Sequence, residues 1–363
     1  LLEAMIRASD PSVVFLDDTE LAARDQQLAA REWNTGLTLV AVPDNLPKVA
    51  AVQAGSPAAT AGILPGELLE KVGGRDVLTG AALKFVRSQL AEGAAAALEL
   101  GVRAVDGKSR TVTVERVHRG DVSLTDVEEL PAGMGYLRAA GIFPGAGAEI
   151  AAALEKWQAA GLFGAILDLR GADGAAETEI AALAEALVTT GHGALYTVSS
   201  RDGSDTRAVG LAAGGDHHKI RMPLMVLVDE ETSGAAELLA AVLAGSVQGA
   251  MIIGRETAGD PLIREPIRLS TGRHALLAKR QIAVADGTVY DGSGGVVPDV
   301  AITAAALDET VYEPDAPVLR KGKTLSDEEK EDKALRDRTR NDTYLRRATD
   351  VLLGLKALGY GKS

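Results

Sequence analysis

The chain has 363 residues, with 38 Lys plus Arg against 51 Asp plus Glu, a formal charge of −13. This balance, with no basic block interleaved with aromatics, excludes nucleic acid as the expected partner. Cysteine is absent, which removes disulfides, thiolate nucleophiles and Cys-based metal sites. The length suits two or three domains with real cores, and with aromatics at 3% those cores must be filled by Ala, Leu and Val.

Residues 1–33 show helical periodicity in two pieces, broken at Ser9-Asp10-Pro11-Ser12, and predict an N-terminal helical segment. The chain begins Leu1-Leu2-Glu3-Ala4, without an initiator Met or a basic-then-apolar leader, which predicts a start inside a longer precursor. Over residues 34–118 the texture changes. Short β-rich runs at 37–42, 48–52, 68–72, 97–102 and 111–117 alternate with Gly, Pro, Asn and Asp turn signals, and a helix is predicted near 80–90. This predicts a compact α+β module.

Over residues 119–305 strands alternate with helices. Strands are predicted at 135–139, 164–169, 195–199 and 224–228, and helices at 148–160, at 176–189 and after Val228 through Leu243. The alternation predicts an α/β core on a mainly parallel sheet, with functional residues in the loops 170–175 and 229–236 at the carboxyl ends of strands. The longest uncharged apolar stretch, Leu238 to Gly254, is too short and too rich in Gly, Ser and Gln to cross a bilayer, so no membrane span is predicted. Residues 306–363 form a charged C-terminal helical segment, in which 321–347 alternates acidic and basic residues like a solvated helix with (i, i+4) pairs.

Within the β-rich module, the string from Ala54 through Gly55-Ser56-Pro57-Ala58-Ala59 to Gly62-Ile63-Leu64-Pro65-Gly66 closely resembles the signature of bacterial PDZ domains. Ser56-Pro57 can cap and start a short helix, Gly62 can end it, and Pro65-Gly66 can turn into the next strand. Gly36-Leu37-Thr38-Leu39 is similar to that family's carboxylate-binding loop, with Thr38 where Gly is usual. The amides of Leu37, Thr38 and Leu39 are expected to receive the terminal carboxylate of a peptide or protein, which adds as a strand. The alternative is a module that serves only as a spacer or lid.

Asp10-Pro11, Gly135-Tyr136-Leu137, Ile166 to Arg170, Val226 to Glu230, Glu237-Leu238, Ile253 to Thr257 and Pro298-Asp299-Val300 follow the order found in carboxyl-terminal processing (tail-specific) serine peptidases. The resemblance implies a ClpP/crotonase-like core, a Ser nucleophile with a buried neutral Lys base, and an oxyanion hole of backbone amides. It also implies the periplasm or cell envelope, and self-association as a homodimer through terminal helices.

Three positions depart from that family. Counted back from Glu237, the nucleophile position holds Gly234. In Thr257-Ala258-Gly259-Asp260-Pro261, Asp260 stands where the Lys belongs, and Arg264 replaces the polar residue four further on. The oxyanion-like positions are Gly174 and Ala235, but the loop Gly171-Ala172-Asp173-Gly174-Ala175 is degraded, keeping one Gly of that family's pair, and Asp173 would sit beside a pocket meant for negative charge.

Ser233 is the alternative nucleophile, with Thr232 beside it, and both also suit helix capping. Lys279 lies on a predicted strand and is expected to be solvated or salt-bridged. Asp216-His217-His218 offers metal-capable groups, but neighbours on an extended segment face opposite ways and no third ligand is indicated. No metal and no cofactor is predicted. The expectation is a catalytically degenerate peptidase homologue that binds C-termini, and the alternative is an active serine-type endopeptidase using Ser233 with an unconventional base.

Overall fold

The structure, a computed structural model, describes residues 2–9, 13–22, 33–42, 44–53, 56–81, 83–91, 97–118, 124–174, 177–187, 194–200, 205–211, 220–259, 265–277, 280–290, 294–303 and 326–360. The chain divides into two compact units, one of residues 1–29, 121–127 and 137–300, the other of residues 30–120, 128–136 and 301–363.

In the first unit Gly164–Asp168, Leu224–Val228 and Ala250–Gly254 lie side by side in one sheet. These three strands are parallel, in the register Ala165↔Leu224 and Leu224↔Ala250. Gly164–Asp168 and Leu224–Val228 are buried at every position, as expected of parallel strands covered on both faces. The core gathers Ile150, Leu154 and Trp157 of the helix Ala146–Ala159, Ile180 and Leu183 of Glu177–Leu187, and Leu238, Leu239 and Val242 of Gly234–Ser246. Each such side chain contributes about 1.5–3 kcal/mol. Gly147 lets two helices approach closely, since a Cβ there would lie 2.3 Å from the Glu179 carbonyl oxygen.

The sheets are mixed, which corrects the mainly parallel expectation. Ala194–Ser200 pairs antiparallel with Thr206–Gly210 and with Arg280–Val284, in a separate four-stranded sheet. Its partly alternating burial suits an antiparallel strand, whereas the sequence reading registered only its apolar content. The N-terminal expectation also changes. Leu2–Ser9 is helical, but Val14–Leu16 is a strand paired antiparallel with His274–Leu277, where Phe15 and Val13 bury against Ala275. Its β-branched and aromatic residues favour that state.

The second unit contains a sheet ordered Leu37–Val40, Lys48–Val52, Leu68–Val72, Ala97–Arg103, Ser109–Glu115, with Arg75–Asp76 paired to Leu68–Val72. Its core is built from Leu39, Val49, Ala58, Ile63, Leu69, Val86, Leu100 and Val114. The helix Pro57–Thr60 begins at Ser56, whose hydroxyl accepts from the Ala59 amide at 3.2 Å, with Pro57 in the first turn. The helices Leu83–Ala91, Asp327–Thr339 and Thr343–Ala357 also belong to this unit. Asp327–Thr339 starts in a reciprocal Ser326/Glu329 capping box and buries only Leu335 and Thr339, with Lys330–Asp327 and Arg336–Asp332 ion pairs along it. Among the described residues no helix is long and apolar enough to cross a membrane.

Candidate functional site

The strand Gly164–Asp168 ends in a buried ionic cluster. Asp168 accepts from the Arg170 backbone amide at 3.0 Å, from Arg170 Nε at 2.9 Å and Nη2 at 2.6 Å, and from Arg138 Nη1 at 2.9 Å. Arg138 also donates to the Arg170 carbonyl at 3.0 Å. Burial alone would raise the Asp168 carboxyl, but the Arg170 and Arg138 guanidiniums outweigh it and hold the group well below the usual carboxylate range. The loop that follows is thereby fixed at its first residue.

Its next residues are tied to the neighbouring strand end. Asp229 Oδ1 accepts from the Gly171 amide at 2.8 Å and from the Glu231 amide at 3.1 Å. Thr232 is fully buried, and its hydroxyl accepts from the Asp229 amide at 3.0 Å and donates to the Leu169 carbonyl at 2.9 Å. The Ser233 amide donates to the Ala172 carbonyl at 3.0 Å. Thr232 is therefore a brace between two strand ends, neither a helix cap nor an available nucleophile.

Ser233 is the N-cap residue of Gly234–Ser246, but its hydroxyl makes no capping hydrogen bond, which corrects the capping expectation. Its extended backbone, φ −147° and ψ 175°, instead feeds a left-handed Gly234 at φ +57°. A Cβ at Gly234 would stand 2.6 Å from the Gly174 carbonyl oxygen and 3.5 Å from the Gly174 nitrogen. Gly174 is itself confined. It pairs parallel with Ile142, and at φ +131° a Cβ there would meet the Ile142 carbonyl oxygen at 2.3 Å. Of the two oxyanion-like positions, Gly174 thus turns an acceptor toward the helix start, and Ala235 is buried in the first turn, whose amides have no intrahelical acceptor.

Glu237 entered the sequence reading only as a register mark, yet it is fully buried and holds the second half of the site. It accepts from the Thr257 hydroxyl in a short hydrogen bond and from the Gly259 amide at 2.8 Å. The Thr257 hydroxyl in turn accepts from the Val296 amide at 2.7 Å, and the Ala258 amide donates to the Thr232 carbonyl at 3.0 Å. These bonds bring the segment 257–259 beside the start of Gly234–Ser246. Asp260, Arg264, Lys279 and Asp216-His217-His218 lie outside the described residues. Among the described residues no group of three or more His, Cys, Asp or Glu is placed to hold a metal ion.

In the sequence Asp168 and Arg170 stand out only as part of the peptidase-like motif. The usable signal was two opposite charges two apart at the end of an apolar strand, where both point to one face and neither can be buried alone. Arg138 carried no comparable local signal, because its partners are distant in the chain, and the bond from the Gly171 amide to Asp229 was hidden for the same reason, although Asp229 also bonds locally to Glu231 and Thr232.

In the second unit, Leu37–Val40 is an edge strand, bonded on one side to Lys48–Val52 with Leu37↔Val52 and Thr38↔Ala51. Leu39 is buried in the core and Thr38 is also buried. The Leu37 amide faces the Thr35 hydroxyl at 3.4 Å. Gly36 has φ +79°, and a Cβ there would overlap the Ser56 Cβ at 2.1 Å, so the loop lies directly against the helix cap. Glu67 is buried, bonded to Arg110 at 2.5 and 3.0 Å, while Arg110 also donates to the Gly62 carbonyl at 2.8 Å.

Residues 133–302 match the sequence model of peptidase family S41, and residues 48–92 match that of the PDZ domain. The carboxy-terminal processing protease CtpA of Bacillus subtilis (strain 168) is 25% identical over 315 residues, covering 82% of this chain and 62% of that protein. The chloroplastic C-terminal processing peptidase of Tetradesmus obliquus is 28% identical over 314 residues, covering 82% of this chain and 66% of that protein. The chain therefore spans just under two thirds of the length of these relatives. A crystal structure of the S41 protease type from Bacteroides fragilis NCTC 9343 superposes with a TM-score of 0.53 at 19% identity, covering 88% of this chain and 83% of that one, which is a likeness of fold. Residues 133–302 are thus similar to peptidase family S41 and residues 48–92 to the PDZ domain, and the chain as a whole is similar to C-terminal processing proteases.

Proposed function

We propose that this protein binds peptide or protein C-termini through its PDZ module and does not hydrolyse them, acting as a binding, scaffolding or regulatory member of its family. The observation that carries the reading is the glycine at position 234, which supplies no nucleophile, together with the Gly174 carbonyl oxygen set where that residue's side chain would begin. An acceptor at that place leaves no room for the side chain that would have to carry a nucleophile. Asp260 replaces the Lys base in sequence, and a carboxylate there has no hydroxyl at 234 to deprotonate. The edge strand Leu37–Val40 offers the backbone groups that strand addition uses.

The test is a labelled, unstructured peptide with an apolar C-terminal residue, followed by anisotropy and by mass spectrometry of the peptide. Binding with an intact peptide is the expected result. Cleavage that disappears in Ser233→Ala overturns it. The absence of a capping bond on the Ser233 hydroxyl is what favours that second reading, an endopeptidase using Ser233 and an unconventional base. In the same proposal the core is layered as in ClpP and crotonase, the protein works in the periplasm or cell envelope, and the terminal helices serve self-association. Fractionation and light scattering test the last two.

A further inference from the structure

The second unit holds three segments that are far apart in sequence: the PDZ sheet, the turn joining Leu124–Leu130 to Met134–Ala139, and the helical pair Asp327–Thr339 and Thr343–Ala357. We propose that the helical pair is a clamp that locks the PDZ sheet and this turn into one body, so that the PDZ module works as part of that body and not as an independently mobile domain.

Two ends of the pair grip the turn. Arg338 donates from Nε at 3.0 Å and from Nη2 at 2.5 Å to Glu128 Oε1, and its guanidinium lies 5.4 Å from the centre of the buried Tyr136 ring. At the other end Lys356 Nζ donates to the Ala132 carbonyl at 2.8 Å. Ala132 has φ +67°, a conformation a non-glycine residue rarely adopts without support, and Gly133 beside it has φ +74°. The gripped carbonyl therefore belongs to the most constrained residue of the turn.

The junction between the two helices faces the PDZ sheet. Asp342 is buried, and its side chain caps Thr343–Ala357 by accepting from the Leu345 amide at 3.1 Å. Burial lowers the Lys48 ammonium's pKa, the Asp342 carboxylate opposes that shift and Arg346 adds to it, which places these side chains in one low-dielectric neighbourhood. Asp342 also favours the charged form of Arg338. A Cβ on Gly66, in the turn before Leu68–Val72, would lie 3.2 Å from Asn341 Oδ1. Thr343–Ala357 buries Tyr344, Leu345, Ala348 and Leu352. Asn341 and Asp342 thus bring the junction of the helical pair beside Gly66 and Lys48 of the PDZ sheet.

Hydrogen exchange on the full chain tests the clamp. Arg338→Ala is expected to speed exchange roughly tenfold in both 128–136 and the strand Lys48–Val52, because both are held through the same pair. Lys356→Ala, which removes one exposed donor, keeps the test available if Arg338→Ala does not fold, with a smaller rise in the same two places. Arg340→Ala is the control, since Arg340 pairs with Asp337 on its own helix, and it should change neither. Faster exchange confined to 327–357, with 48–52 and 128–136 unchanged, overturns the clamp. The readout involves neither peptide binding nor hydrolysis, so its outcome is separate from that of the functional proposal.

Discussion

The Gly174 carbonyl oxygen lies 2.6 Å from the position a Cβ on Gly234 would take, and Gly234 itself is left-handed at φ +57°. Restoring a hydroxyl therefore requires more than one substitution. In Gly234→Ser the backbone strain alone is worth about 1–2 kcal/mol, and the loop at 174 must retreat as well. The variant should have a lower denaturant midpoint than the parent and show no peptide cleavage. A stable and hydrolytic Gly234→Ser protein would mean that the loop at 174 yields easily.

Glu237 carries a second prediction. Its carboxylate receives the Gly259 amide and the Thr257 hydroxyl in a fully buried place. Glu237→Ala leaves both donors without their acceptor and should destabilise the protein by about 2–4 kcal/mol in urea unfolding. A loss below about 0.5 kcal/mol, the range of an ordinary surface change, would remove Glu237 from its organising role.

What was legible in the sequence follows from this kind of contact. Leu224–Val228 and Gly234–Ser246 are locally determined, by five consecutive apolar residues and by a helix that is apolar nearly all round, and both were readable. The Ser56-Pro57 cap was readable for the same reason: the hydroxyl and the amide it accepts from are three residues apart. Val14–Leu16 was not, because a three-residue strand after a helix is stabilised only by His274–Leu277, far along the chain. The direction of Ala194–Ser200 was hidden likewise, since its partners follow from chain crossings that composition does not encode. At the site, the glycine at 234 could be read from spacing, but the carbonyl facing it could not. That depends on the Asp173-Gly174 pairing with Gly141-Ile142.

Asp168 makes stability depend on pH in a definite direction. Its folded pKa is depressed, so its contribution is fully present above the unfolded value of about 4 and is lost as pH falls toward the folded value. The stability gap between the parent and Asp168→Asn should be largest near neutrality and should shrink below about pH 4. Tyr290 acts at the other extreme. Burial, helped by Asp286 and Glu237, pushes its phenol up to about 12, so stability should decline once pH exceeds the unfolded value of about 10. Urea midpoints measured across pH for Asp168→Asn and Tyr290→Phe check both signs. A gap independent of pH in either variant contradicts the assignment.

The PDZ loop gives a prediction independent of the peptidase-like site. Gly36→Ala puts a methyl group onto the Ser56 Cβ and strains a backbone at φ +79°. Strain of about 1–2 kcal/mol and overpacking of about 1–3 kcal/mol should displace Leu37-Thr38-Leu39. Peptide affinity should fall by at least roughly tenfold. Unchanged affinity in anisotropy titrations would place peptide recognition elsewhere.

The most direct measurement is the intact mass of the full chain after prolonged exposure to a fluorophosphonate, which traps activated serine hydroxyls. A protein without a working nucleophile keeps its unmodified mass while still binding the C-terminal peptide. A single adduct mapping to Ser233, suppressed by that peptide, would contradict the account.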